Sequence, residues 1–145
     1  MPRLFIVTGG SAGIGLWVGG TLCGQGHVVL AIGRRDPKDI SKQELLRSYA
    51  EGVKDGRLRN LEDDPDGVDI EGITVEQRSE LVSNVTLFEL QGKDKFFYLQ
   101  GNLKDSSTFV SVQEWVQMSQ MTPSGIVHSS GIVWKGTLAD EKWVN

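Results

Sequence analysis

Between a short apolar run and a helical segment, the chain carries Thr8-Gly9-Gly10-Ser11-Ala12-Gly13-Ile14-Gly15. No other feature limits the fold so tightly. A backbone that leaves a strand and enters a helix lying close on a sheet must turn sharply, and glycine permits both the turn and the close approach. A helix that starts here aims unpaired N–H groups and the positive end of its dipole outward, which suits an anion such as a phosphate. Arg3 to Thr8 is a short apolar run ending at the glycines, as expected of a strand buried on both faces. Ile14, Val18 and Leu22 recur at four-residue spacing and are expected on one face of the helix. Gly26-His27 ends that helix, and Val28 to Ile32 reads as a second buried strand. Strand, glycine turn, helix and strand make a βαβ unit with a right-handed crossover. The expected fold class is therefore α/β.

The middle of the chain is less regular. Ser41 to Ala50 has a helical pattern, with Ser41 and Glu44 spaced as a capping box. Glu51 to Gly72 is rich in Asp, Gly and Arg around Asp63-Asp64-Pro65-Asp66-Gly67, the composition of an exposed loop. Thr74 to Asn84 reads as a short helix. Val85 to Leu90 and Lys95 to Gln100 flank Gln91-Gly92-Lys93-Asp94, which predicts an antiparallel hairpin over the outer edge of the sheet. Asp105 to Met121 is expected to be a longer helix with Phe109, Val112, Val116 and either Met118 or Ser119 inward. Ile126 to His128 then makes a brief strand, His128 packing at its end, and a loop runs to Asn145.

Size and charge narrow the function classes. A chain of 145 residues, 39% hydrophobic and 23% charged, suits one globular domain. Its net charge of −4 disfavours nucleic acid as a partner. No apolar run reaches the roughly 18 residues that a membrane helix needs. Cys23 is the one cysteine, so no internal disulfide forms, and the start of the chain already reads as a strand rather than a signal peptide. The expected compartment is the cytoplasm.

The glycine turn looks like the T-G-x-x-x-G-I-G signature of the short-chain dehydrogenase/reductase family. Gly26 also sits where that family commonly ends its first helix. The spacing is not the G-x-G-x-x-G of the standard dinucleotide motif. The resemblance implies a Rossmann-type three-layer fold with parallel strands in the order 3-2-1-4, truncated. A helix and hairpin would be inserted within residues 37–94, before the third strand. It makes residues 1–145 a single, partial cofactor-binding domain and puts Gly9, Ser11, Gly13, Ile14 and Gly15 on the cofactor. The alternative is a glycine-rich turn with no ligand. Phe97 to Asp105 looks like the family's third strand, with Asn102 in the place of its usual aspartate and Leu103 beside it. Gly125 to Ile132 resembles the strand that usually ends in Asn-Asn-Ala-Gly, of which only Gly131 is retained. On this resemblance Asn102, Leu103, Ser130 and Gly131 also touch cofactor. Gly19, Gly20 and Gly24 stand inside the first helix, each costing about 1 kcal/mol relative to Ala. Close packing accounts for one or two of them, and weak selection for all three.

The residues after the second strand choose the cofactor. NAD-binding relatives usually end that strand with an acid, which accepts bonds from the ribose hydroxyls. Here the place falls on Gly33, and Arg34 and Arg35 follow. Guanidinium groups grip a 2′-phosphate that a carboxylate would repel, so NADP(H) is expected over NAD(H). Asp36 would restore the NAD pattern only if the register slipped by three residues. The other alternative is that the arginines merely solvate a loop.

The family's chemistry needs a tyrosine followed four residues later by a lysine. Tyr49 is followed at that distance by Val53 and Tyr98 by Asn102, so the motif is missing. The chain is expected to be the NADP(H)-binding half of a longer oxidoreductase acting on an alcohol or ketone, inactive alone. An apolar strand at Ile126, left without the neighbours its relatives have, would invite self-association. The alternative function is a non-catalytic dinucleotide-binding or protein-interaction module.

Overall fold

A computed structural model describes residues 3–55, 82, 84–91 and 94–129. Two apolar runs form the centre of the sheet. Leu4–Thr8 (β1) and Val28–Gly33 (β2) pair in parallel, with Leu4 opposite Val28 and Thr8 opposite Ile32. Gly13–Gly24 (α1) makes the crossover between them. Lys95–Gln100 (β4) lies parallel on the far side of β2, and Pro123–His128 (β5) lies parallel on the far side of β1. Val85–Glu89 (β3) closes the sheet as an outer strand, antiparallel to β4. Across the sheet the order is therefore β3-β4-β2-β1-β5, not 3-2-1-4. The hairpin strand joins the sheet itself and takes a number of its own.

Because strand side chains alternate between faces, the sheet builds two cores. Val7, Val29, Ala31, Phe96 and Tyr98 face α1 and Lys42–Lys54 (α2), meeting Leu16, Cys23, Leu45 and Tyr49. Leu4, Ile6, Leu30, Ile32, Phe97 and Leu99 face Ser106–Ser119 (α3), where Trp115 packs on Phe97 with ring centres 5.1 Å apart. No helix among the described residues is long and apolar enough to cross a membrane.

The helices depart from the expected pattern in instructive ways. On α1 the buried residues are Gly15, Leu16, Gly19, Gly20, Cys23 and Gly24, whereas Ile14 is 78% exposed. The inward face is thus the glycine face and not the one marked by Ile14, Val18 and Leu22. All three interior glycines are close-packed. A Cβ on Gly19 would lie 2.7 Å from the Phe96 ring, on Gly20 2.9 Å from Ser48 Cβ, and on Gly24 2.9 Å from Gly52 Cα. The helix α2 begins as the capping box predicts, the Ser41 hydroxyl accepting from the Glu44 N–H at 3.2 Å. It runs past Ala50 to Lys54, because Gly52 is needed against Thr21 and Gly24 of α1 and stays helical. Glu51 to Lys54 are therefore helix and not loop.

On α3, Thr108, Trp115 and Ser119 are buried, with Val112 and Val116 partly so, while Phe109 is 53% exposed. Trp115 sets the helix's phase and turns Phe109 outward. β5 starts at Pro123, earlier than expected, since pairing with β1 extends it and a proline is tolerated at a strand's first residue. The loop beyond residue 55, the helix expected at Thr74, Gly92 and Lys93 of the turn, Ser130, Gly131 and the run to Asn145 lie outside the described residues.

Candidate functional site

Parallel strands end at one edge of a sheet, so the segments that follow them converge there. The residues after β1, β2, β4 and β5 line a cleft of about 470 Å³. Each loop is tied back by a backbone bond that carries the ladder one step past its strand. The Gly10 N–H donates to Ile32 O at 3.1 Å, Gly101 N–H to Gly33 O at 2.8 Å and Ser129 N–H to Thr8 O at 3.0 Å.

On the β1 side the cleft is made by the glycine turn. Gly9 and Gly13 have φ of 68° and 58°, the left-handed region that a side chain disfavours. Gly15 lies directly under the turn, where a Cβ would stand 2.7 Å from Gly9 C and 3.1 Å from Ser129 Oγ. The helix α1 then starts with no side-chain cap, since Ala12 has no acceptor and no acid stands in the first turn. Its first N–H groups and the positive end of its dipole are left for another acceptor.

On the β2 side stand Arg34 and Arg35, both exposed. Neither makes a salt bridge among the described residues. Gly33 leaves no room for an acid at the end of β2. A Cβ there would meet Ser11 Oγ at 2.8 Å and the Tyr98 hydroxyl at 2.9 Å. Asp36 does not take over that place, because its carboxylate accepts from the Lys38 N–H at 3.0 Å and faces the Lys38 ammonium at 3.9 Å. Burial pushes the Tyr98 phenol above its ordinary value of 10.0, so it is a neutral donor at physiological pH.

On the β4 side the Asn102 amide oxygen accepts from the Lys104 N–H at 3.0 Å, closing a tight turn. That uses one of its two acceptor positions. His128, ending β5, shares a 2.6 Å hydrogen bond between Nδ1 and Thr8 Oγ1.

Six of the expected residues, Gly9, Ser11, Arg34, Arg35, Asn102 and Leu103, thus line one cleft. Gly13 and Gly15 shape the turn beside it, and Ile14 points away into solvent. Ser129 lines the cleft immediately before Ser130 and Gly131. Sequence reasoning missed Ser129, Gly101, Lys104 and the role of Tyr98. The first three carried a usable signal, since each follows a parallel strand at its carboxyl end. A second cleft of about 560 Å³ lies between Pro37–Leu46 and β3, with Leu45, Leu46 and Phe88 in its wall. It lacks the glycine turn, and the helix start in its wall, at Lys42, is already capped by Ser41. Comparison with known proteins finds no matching family model, no matching curated protein and no matching solved structure.

Proposed function

We propose that this chain is the NADP(H)-binding half of an oxidoreductase resembling the short-chain dehydrogenases/reductases, with a Rossmann-type arrangement and an alcohol or ketone as its substrate. One observation carries the reading. The glycine turn, the uncapped start of α1 and the two arginines meet in one cleft at the carboxyl ends of the parallel strands. Ligands of open α/β sheets bind at that end, where the strand order reverses. Here the chain leaves β1 toward β2 and β4, then returns to β5 on the other side of β1.

The residues present fit a dinucleotide phosphate. The N–H groups at the start of α1 would offset the pyrophosphate's charge, and Gly9 and Gly13 give the turn the left-handed backbone that leads into that helix start. Arg34 and Arg35 would take the 2′-phosphate, and the remaining acceptor position of Asn102 is available to the adenine. When bound, such a cofactor carries hydride. The chain's own residues bind and orient it.

They supply no tyrosine for proton transfer. Tyr49 is buried and donates its one hydroxyl proton to the Asp94 carboxylate, with Gln91 O 3.1 Å away, and Tyr98 is spent on Arg35 O. That engagement favours a second reading, a dinucleotide-binding module without chemistry of its own.

The test is titration of NADPH and NADH by calorimetry. A charge-assisted contact is worth about 1.5–3 kcal/mol, so NADPH should bind roughly 10- to 150-fold tighter. Replacing Arg34 and Arg35 together by Ala should erase most of that preference and spare NADH. A bulky residue at Gly13 should weaken both. Equal wild-type affinities would refute the arginine assignment.

A further inference from the structure

The loop that carries the two arginines is held to β4 at three successive carbonyls. Gly33 O accepts from the Gly101 N–H at 2.8 Å, Arg34 O from Gln100 Nε2 at 3.4 Å, and Arg35 O from the Tyr98 hydroxyl at 2.6 Å. The Tyr98 bond is the short one, and its donor is the most firmly placed. Tyr98 sits in β4 opposite Ala31, has 0% exposure, and packs its ring edge-on to Phe88. Ser11 of the glycine turn comes to the same spot, its Oγ lying 2.8 Å from where a Gly33 Cβ would stand. The bare Gly33 leaves the space in which that phenol hydroxyl sits. A Cβ at Gly33 would stand 2.9 Å from that hydroxyl.

We propose that Tyr98 is a specificity-determining positioning residue. By holding the Arg35 carbonyl, it sets the arginine loop against the cleft and so tunes selection for a dinucleotide bearing a 2′-phosphate. The inference rests on the NADP(H) reading above. It adds to that reading a residue that touches neither phosphate and acts through Arg34 and Arg35. A flexible arginine pair must give up rotamer and loop freedom on binding phosphate, and a loop already fixed to the sheet gives up less. The space that a Cβ after Ile32 would enter is taken by the Ser11 and Tyr98 hydroxyls, the second of which holds the Arg35 carbonyl. The phenol keeps its proton through the neutral range, so the link does not weaken on mild pH change.

The experiment is a mutant cycle read as NADPH and NADH affinities of the whole chain. Tyr98→Phe keeps the buried ring and removes the hydroxyl. It should weaken NADPH binding about threefold to tenfold, the worth of one hydrogen bond. NADH binding should stay within about twofold, a split that general loosening of the fold would not produce. In the Arg34→Ala, Arg35→Ala background the same change should have no further effect on NADPH. Gly33→Ala, whose methyl would meet the Tyr98 hydroxyl from the neighbouring strand as well as Ser11, should reproduce the NADPH loss in the wild type. This second variant keeps the inference testable should Tyr98→Phe fold poorly.

If the arginine changes weaken NADPH but Tyr98→Phe does not, the positioning role is wrong and the cofactor reading stands. If Tyr98→Phe weakens both cofactors equally, or acts fully in the arginine-free background, the residue is structural only. If the arginine changes are themselves silent, the cofactor reading falls and this inference falls with it.

Discussion

Replacing Gly24 by Ala sets two physical effects against each other, and the sign of the result decides between them. By helix propensity alone the change inside α1 should stabilise by about 1 kcal/mol. The structure predicts the opposite. The new methyl would press on the Tyr49 carbonyl oxygen and lie 2.9 Å from Gly52 Cα and 2.9 Å from Val53 N, all backbone atoms of α2. Carbon atoms in ordinary contact sit about 3.5–4.0 Å apart, and the Tyr49 oxygen is nearer still, so α2 must retreat by roughly 1 Å. A gap of that size forfeits roughly a quarter to a half of each contact it opens. Leu45 and Tyr49, on the same helix and 1% and 2% exposed, would lose contacts with the sheet. Overpacking typically costs about 1–3 kcal/mol, and a clash with backbone, which no rotamer change relieves, belongs near the upper end. Subtracting the propensity gain leaves a net loss of about 2 kcal/mol, or roughly 4–10 °C in Tm for a chain of this size. Thermal and chemical denaturation of the purified variant measure it. Gly52→Ala should behave likewise, and the double variant should cost less than the sum, since one retreat of α2 accommodates both methyls. A rise in Tm for Gly24→Ala would refute the close approach of the two helices.

Trp115→Ala removes the side chain that fills the core under α3, fully buried against Phe97, and should cost about 3–5 kcal/mol in urea denaturation; a loss under about 1 kcal/mol would show that α3 is not anchored there. The phenol of Tyr98 is held above 10.0 by burial, so the unfolded chain gives up that proton first. The stability it contributes is fully present below that value and is lost as pH rises through the higher folded one, so the difference between wild type and Tyr98→Phe should shrink toward alkaline pH in denaturation curves from about pH 8 to 11. We also propose that β5 mediates self-association, because Ile126 on this outer strand is 66% exposed. Ile126→Lys should lower the association state seen by analytical ultracentrifugation, and an unchanged distribution counts against it.

The local features of this protein were legible from residue order. The glycine turn, the apolar runs of β1 and β2, the Ser41–Glu44 cap and the β3–β4 hairpin each depend on residues close in sequence, and each appears in the structure. So does the convergence of Gly9, Ser11, Arg34 and Arg35, because short loops after adjacent parallel strands have nowhere else to go. The buried face of α1 was not legible. Hydrophobic periodicity marks a face by its side chains, and the face that packs here is written in glycines, which carry no such mark. Phe109 misled for a related reason: an aromatic at helical spacing is inward only if the phase is right, and Trp115 determined the phase.

What the sequence determined by itself is thus the strand–turn–helix start and the chemistry placed after each strand, since these follow from backbone freedom and charge at neighbouring positions. Only the tertiary structure decided that Gly20 and Gly24 must stay bare and that Tyr98 holds the arginine loop. In both cases the decisive atoms, Ser48 and the backbone of α2 and the Arg35 carbonyl, come from distant parts of the chain, and only folding brings them within contact.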